Sequence, residues 1–321
     1  MANSMDGQNS VLSVVGPLAT NAASLRLLTQ AILDQKPWES DPMVHEMPWR
    51  YMEENSINEN IQDGRGMQKK GGKLCFGVLK TDGVVKPMPP VLRAIDELVS
   101  ALEKAGHEVI EWTPPSHKTV NDTGFKSWLF DGGADVRAAF ALSGEPMAEQ
   151  VSLYESPKEE YTGSQIAATN VELRSLKKQY LDYWNSTVGK TSTGRPVDAV
   201  ICPLAPFPAA RPKKFAYYGY TTWVNALDYT SVTVPITNVD KAVDVRDEGH
   251  TPVSDTDKQI QDDCELTYVT FIYEMLILDT VDDPEIYDGA HVSVQIVGRR
   301  LQEEKMLAIA AHVEALLAHG Q

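Results

Sequence analysis

The chain has 321 residues, 42% hydrophobic and 23% charged, with 45 acidic against 29 basic residues and a formal net charge of −16. That mix is ordinary for a soluble globular protein. The acidic balance disfavours nucleic acid and anionic membranes as partners, since both call for clustered positive charge. The length admits one large domain or two smaller ones. Three cysteines, Cys75, Cys202 and Cys264, stand far apart with no C-x-x-C pair. Cys75 and Cys202 sit in apolar runs and read as buried thiols, so a reducing, cytoplasmic setting is expected. No basic-then-apolar signal opens the sequence, and no run approaches membrane-spanning length. Without such a signal, the sequons at Asn121 and Asn185 read as chance matches.

Residues 10–33, SVLSVVGPLATNAASLRLLTQAIL, read as strand, turn and helix. Val11, Leu12, Val14 and Val15 suit a short buried strand that Gly16-Pro17 would end. Asn21 is placed to cap a helix whose Leu25, Leu28 and Ile32 recur at helical spacing. Residues 34–72, rich in Pro, Asp, Glu and Asn, predict an irregular surface excursion pinned by Trp38 and Trp49. A strand over 73–79, a helix carrying Leu92, Ile95, Leu98, Val99 and Leu102, and a strand over 107–112 make a βαβ unit with a parallel sheet. Gly106 marks the helix end. Residues 118–142 are mainly helical, and a long helix over 164–188 turns Leu173, Leu176, Tyr180 and Tyr183 inward. Strands follow at 197–202, 231–234 and 291–297, with a helical turn at 223–227 and an acidic loop over 240–263. Residues 301–317 close the chain as an amphipathic helix, with Leu307, Ala311, Ala315 and Leu316 among its apolar positions. The sum is an α/β fold, a mixed β-sheet sandwiched by α-helices.

Several stretches, in this order, carry a family resemblance: MANSMDGQNS at 1–10 with SVVGPLAT and SLRLLTQAIL, VDAVICP at 197–203, NALDYTSVTVP at 225–235, and YDGAHVSVQIVG at 287–298. Together they resemble the amidase-signature family, in its fungal acetamidase-like branch. The resemblance covers about 1–260 and 283–319. It implies hydrolysis of carboxylic amides to acid and ammonia or amine, with the 197–203, 225–235 and 287–298 segments shaping the far wall of the acyl pocket. It also implies that residues 1–321 are the C-terminal portion of a single amidase domain, so that the fold here is incomplete. Two departures stand out. His291 replaces the proline usual before the V-S-x-Q strand, and reads as a half-exposed edge residue. Residues 264–280, CELTYVTFIYEMLILDT, form an atypical apolar insert in the acidic loop, read as an in-frame retained intron and an aggregation-prone segment.

Amide hydrolysis needs a nucleophile, a proton carrier and oxyanion donors. The resemblance implies a serine nucleophile, a cis-peptide serine and a neutral lysine, with backbone N–H groups of a glycine-rich turn for the oxyanion and no metal or organic cofactor. In the family these lie upstream of the segments matched here, so no catalytic, cofactor-binding or metal-binding residue is assigned. Substitutes are not in view. There is no G-x-S-x-G elbow. His45-Glu46 and His107-Glu108 lack the second histidine of a zinc hydrolase. Gly64, Gly66, Gly71 and Gly72 read as a flexible turn, and Lys126-Ser127 is too common a pairing to carry weight. The carboxylate pairs Glu53-Glu54, Glu159-Glu160 and Glu303-Glu304 read as solvated surface. The competing expectation is a non-catalytic amidase-like protein that binds an amide-like ligand with a partner chain. On either expectation the opening helix and some strands show apolar faces without a partner, so the chain alone associates or is poorly stable. A sharp, cooperative thermal transition of a soluble monomer would contradict that.

Overall fold

The computed structural model describes residues 7–61, 73–209, 217–245, 251–258 and 287–319, with residues 215 and 249. Helices are α1 (Ala22–Asp34), α2 (Tyr51–Ile61), α3 (Pro89–Lys104), α4 (His117–Lys126), α5 (Ala134–Ser143), α6 (Gly163–Ser186), α7 (Gly219–Leu227) and α8 (Glu303–His319). Strands are β1 (Cys75–Val78), β2 (Glu108–Glu111), β3 (Ala199–Pro203), β4 (Ser231–Asn238) and β5 (His291–Val297). They form one sheet in the order β2-β1-β3-β5-β4. β1 runs parallel to β2 and to β3, while β5 is antiparallel to both β3 and β4. The expected mixed sheet between helices is therefore what forms. The segment 264–280, Cys264 and the 64–72 glycines lie outside the described residues.

β1 and β3 are buried along their whole length, because helices cover both faces of the parallel part. One face stacks Phe76, Ile201, Val234, Val294 and Ile296 against Ile95, Leu98, Ile309 and Val313 of α3 and α8. The other packs Cys75, Val200, Cys202 and Val297 under Trp112, Tyr180, Trp184 and Trp223 from the β2 exit, α6 and α7. A Cβ on Gly77 would come within 2.6 Å of the Trp112 ring, so only glycine admits the indole there. On β4 the pattern alternates: Val232, Val234 and Ile236 are buried, and Ser231, Thr233 and Pro235 are exposed. β4 thus reads as half-buried, and the strand runs on through a bulge between Pro235 and Thr237, past the expected end at Val234.

Several expectations need correction. Residues 11–15 form no strand: Val11 is buried, but Val15 and Leu18 are 92% and 99% exposed. The apolar run finds no strand partner among the described residues, and propensity alone does not make a ladder. The helix after it does form, with the Asn21 side chain accepting from Ser24 N as a cap. Ala22 is buried in the core and Leu25 packs on it, while Leu27, Leu28 and Ile32 are exposed. The stretch 34–72 is not all irregular, since α2 lies within it; Trp49 is buried and Trp38 only half-buried. On α8 the core side is Met306, Ile309, Ala310 and Val313, and Ala311 and Ala315 face outward.

Glu159-Glu160 is exposed as expected, but the pairs Glu53-Glu54 and Glu303-Glu304 depart from a solvated surface. Glu54 and Glu304 are buried, one member of each pair. Glu304 accepts from Arg50 N at 2.8 Å and from both the Nε and an Nη of its guanidinium, which fastens α8 to the entry of α2. Glu54 takes the Arg26 guanidinium of α1 and, at 3.0 Å, the Trp49 indole N–H. The leading effects on their acidity differ. Burial raises Glu304 but its Arg50 hydrogen bonds win, and the Arg26 hydrogen bond leads for Glu54, so both carboxyls sit below the usual range. Replacing Arg50 by alanine strands a buried carboxylate. The expected cost is about 3 kcal/mol, read from the urea midpoint.

His107, after Gly106, joins the sheet to α8. Leu74 N donates to its Nδ1 at 3.3 Å, so the ring proton is assigned to Nε2, which faces His312 Nε2 at 2.7 Å. Burial first, then His312, pushes His107 down to about 4; the Asp198 carboxylate opposes this and Lys73 adds to it. Burial lowers His312 as well. A histidine depressed in the fold binds fewer protons there than in the unfolded chain. Its stabilising contribution is therefore complete above about pH 6.5 and falls as the pH drops toward 4. Unfolding free energy measured across that window should decline in the natural protein and decline less steeply in His107→Phe, where His117 and His312, also lowered by burial, still contribute.

Candidate functional site

The strand order fixes where a crevice opens. From β1 the chain leaves to α3 on one face, and from β3 to α7 on the other. Connections diverging from adjacent parallel strands open a gap beyond their carboxyl ends, the place where ligands of open α/β sheets bind. Two segments meet over that gap, 79–88 after β1 and, after β3, the described residues 204–209 and 217–220. Met88 N donates to Pro206 O at 2.7 Å. Tyr217 donates its hydroxyl to Asp82 Oδ2 at 2.6 Å, while Asp82 Oδ1 accepts from Val84 N at 2.9 Å and Val85 N at 3.1 Å. Tyr220 donates to Val85 O at 2.5 Å and accepts from Asp82 N at 3.4 Å. A groove of about 630 Å³ runs beside this contact, lined by Val78 to Gly83 and by Val109 to His117.

Beneath the crevice lies Gln295 of β5, 2% exposed. Its amide nitrogen donates to Pro203 O at 2.8 Å and Tyr220 O at 2.6 Å, and its oxygen accepts from Ser231 Oγ at 3.1 Å. The three segments singled out in the sequence, 197–203, 225–235 and 287–298, thus meet here as β3, the α7–β4 turn and β5. His291 is exposed, with Nδ1 2.9 Å from Asn238 Oδ1 at the sheet edge, as expected for an edge residue.

The chemistry of the crevice is that of a binding wall. Burial, then the Asp82 carboxylate, holds Tyr217 and Tyr220 well above the usual phenol range, so both remain hydroxyl donors at neutral pH. Burial raises Cys202 far above a reactive thiol, and Cys75, raised to about 12 by burial and then Glu108 and Asp198, is equally inert. His117 stacks against Trp223 and Tyr180, with Nε2 2.9 Å from Tyr180 Oη, and burial pushes it down to about 3. It stays neutral and locked. Lys73 Nζ lies 3.5 Å from Ser192 Oγ, but both are exposed and Ser192 donates its hydroxyl to Glu108. Lys126 pairs with Glu172 while Ser127 is buried. Burial raises Glu108, but its Ser192 and Lys73 contacts hold it below the usual range, so it is a weak base for Ser192, and Ser127 Oγ has no partner among the described residues. Asn121 donates to Gly219 O at 2.9 Å, part of the α4–α7 contact. No group of three or more His, Cys, Asp or Glu able to hold a metal occurs among the described residues.

Asp82, Tyr217, Tyr220 and Gln295 were not assigned from the sequence. A signal existed for the first three: Thr81-Asp82-Gly83 directly follows a parallel strand, and YYGY directly precedes a helix after another. Gln295 had none, because its worth depends on carbonyls distant in the chain. Replacing Gln295 by leucine removes its two buried hydrogen bonds to the Pro203 and Tyr220 carbonyls and the one it accepts from Ser231. The expected loss is about 3 kcal/mol in chemical denaturation. Tyr217→Phe should leave global stability within about 1 kcal/mol but speed amide exchange at residues 82–85.

The sequence profile of the family described as Amidase matches residues 2–307. The chain is 39% identical over 320 residues to an acetamidase of Aspergillus oryzae, covering 99% of this chain and 54% of that protein. It is 38% identical to an acetamidase of Emericella nidulans, covering 99% and 53%. A solved fatty acid amide hydrolase superposes with a TM-score of 0.78 at 26% identity, covering 98% of this chain and 50% of that one. The chain spans about half the length of these relatives. With the profile, the identities and the sheet in agreement, this chain belongs to the amidase family.

Proposed function

We propose that this chain builds the acyl-side wall of an enzyme that hydrolyses carboxylic amides to acid and ammonia or amine. Its serine–serine–lysine machinery is assigned outside residues 1–321. The observation that carries this reading is the convergence of β3, α7, β4 and β5 on Gln295, next to the contact by which Tyr217 and the buried Tyr220 hold the loop after β1. The groove beside that contact carries Val78, Leu79, Val109, Ile110 and Trp112 among polar and charged neighbours, and this apolar part suits an uncharged acyl group. It offers no activated nucleophile among the described residues. The buried free thiols Cys75 and Cys202 fit a reducing, cytoplasmic setting. No helix among the described residues is long and apolar enough to cross a membrane.

A second reading, a non-catalytic amide-binding protein that acts with another chain or by self-association, rests on the exposed apolar residues Val14, Val15, Leu18, Leu28 and Ile32. Light scattering and ammonia release, measured on one preparation, separate the two. The purified chain, given acetamide or benzamide, should release no ammonia while benzamide perturbs tryptophan fluorescence. Adding a separately expressed segment that carries the serine–serine–lysine machinery should then restore turnover under the first reading and leave it absent under the second. Ammonia release by residues 1–321 alone would overturn the placement of the nucleophile.

A further inference from the structure

Helix α6 carries Ile166, Asn170, Arg174 and Lys177 at three- and four-residue spacing, hence along one face. The coil of residues 7–10 crosses that face, with Ser10 Oγ donating to Asn170 Oδ1 at 2.6 Å. Between them lies a groove of about 510 Å³ floored by Phe130 and Leu173. Its two charged lining residues among the described residues are both cations, Arg174 and Lys177, with no acidic side chain among them. Neither cation makes a hydrogen bond or ion pair among the described residues.

This is unusual for this molecule. Every other arginine among the described residues has a carboxylate, carbonyl or ring partner: Arg26, Arg50, Arg93, Arg195 and Arg300 pair with acids, Arg137 with carbonyls, and Arg299 with the Trp184 ring. The chain carries a net charge of −16, so acids are in ample supply, yet no acid among the described residues meets these two cations. Lys177 is half-buried, and burial lowers its pKa, with Asp228 opposing at longer range and Arg300 adding repulsion. Asn170 accepts through its oxygen, and its amide N–H donors make no hydrogen bond among the described residues.

We propose that this groove binds a small oxyanion, a carboxylate or a phosphate, held by the Arg174 guanidinium with Lys177 and the Asn170 amide. A planar guanidinium fork matches two oxygens of either anion, and a partly desolvated ammonium gains most from a counter-ion. The site stands apart from the crevice over β1 and β3 and does not depend on it.

The test titrates the chain with inorganic phosphate at constant ionic strength, reading the phosphorus resonance linewidth, and in parallel with acetate by chemical shift. Arg174→Gln and Lys177→Gln should each weaken binding about tenfold. Lys178→Gln, which removes a neighbouring cation paired with Asp182, should leave it unchanged. Circular dichroism of each variant guards against misfolding, and Arg174 is exposed enough to be replaced without opening the core. Saturation by phosphate alone, or by acetate alone, identifies the class of anion and supports the site. Equal binding by the natural chain and the doubly substituted Arg174→Gln/Lys177→Gln variant, or displacement by chloride at equal strength, overturns it.

Discussion

The buried amide of Gln295 ties together parts of the fold that are distant in sequence. Its nitrogen spans the end of β3 and the first turn of α7, and its oxygen holds the start of β4. A buried primary amide is costly unless each of its groups is satisfied, and here both donors and the acceptor are. The crevice inherits its shape from this arrangement, because Tyr220 contributes its carbonyl to Gln295 and its hydroxyl to the loop after β1. One side chain on the middle of an antiparallel strand thereby sets the distance between the two segments that form the wall.

Around that centre the molecule is fastened by ionisable groups withheld from water. Arg50 with Glu304 and Arg26 with Glu54 attach the outer helices, and the His107–His312 contact attaches α8 to the sheet. Such pairs cost desolvation and return it only while both partners stay in place. They specify how the helices sit more than they add to net stability. The apolar residues left bare on α1 and in the coil before it are the counterpart: where no partner packs, neither propensity nor a correct cap makes a face disappear.

Much of the fold was legible because it rests on local periodicity. The βαβ unit of β1, α3 and β2 follows from alternation and a 3.6-residue repeat, and Asn21 and Gly106 punctuate helices as their chemistry requires. The errors have physical causes. Val11 to Val15 have strand propensity but no neighbour to pair with, and α8 carries small and apolar residues nearly all round, so its buried face is set by what it meets. Glu54 and Glu304 look solvated because each partner, Arg26 and Arg50, lies on a different element.

By itself the sequence determined the family, the mixed α/β class and the order of the segments that build the wall, since these depend on residue types and spacing along the chain. Tertiary structure decided the rest. It brought Asp82 to Tyr217 across 135 residues, drew Gln295 to Pro203 and Tyr220, and left Arg174 and Lys177 unpaired in a groove. Hydrogen bonds and charge compensation depend on distances of a few ångströms between residues far apart in the chain, and no local pattern encodes those distances.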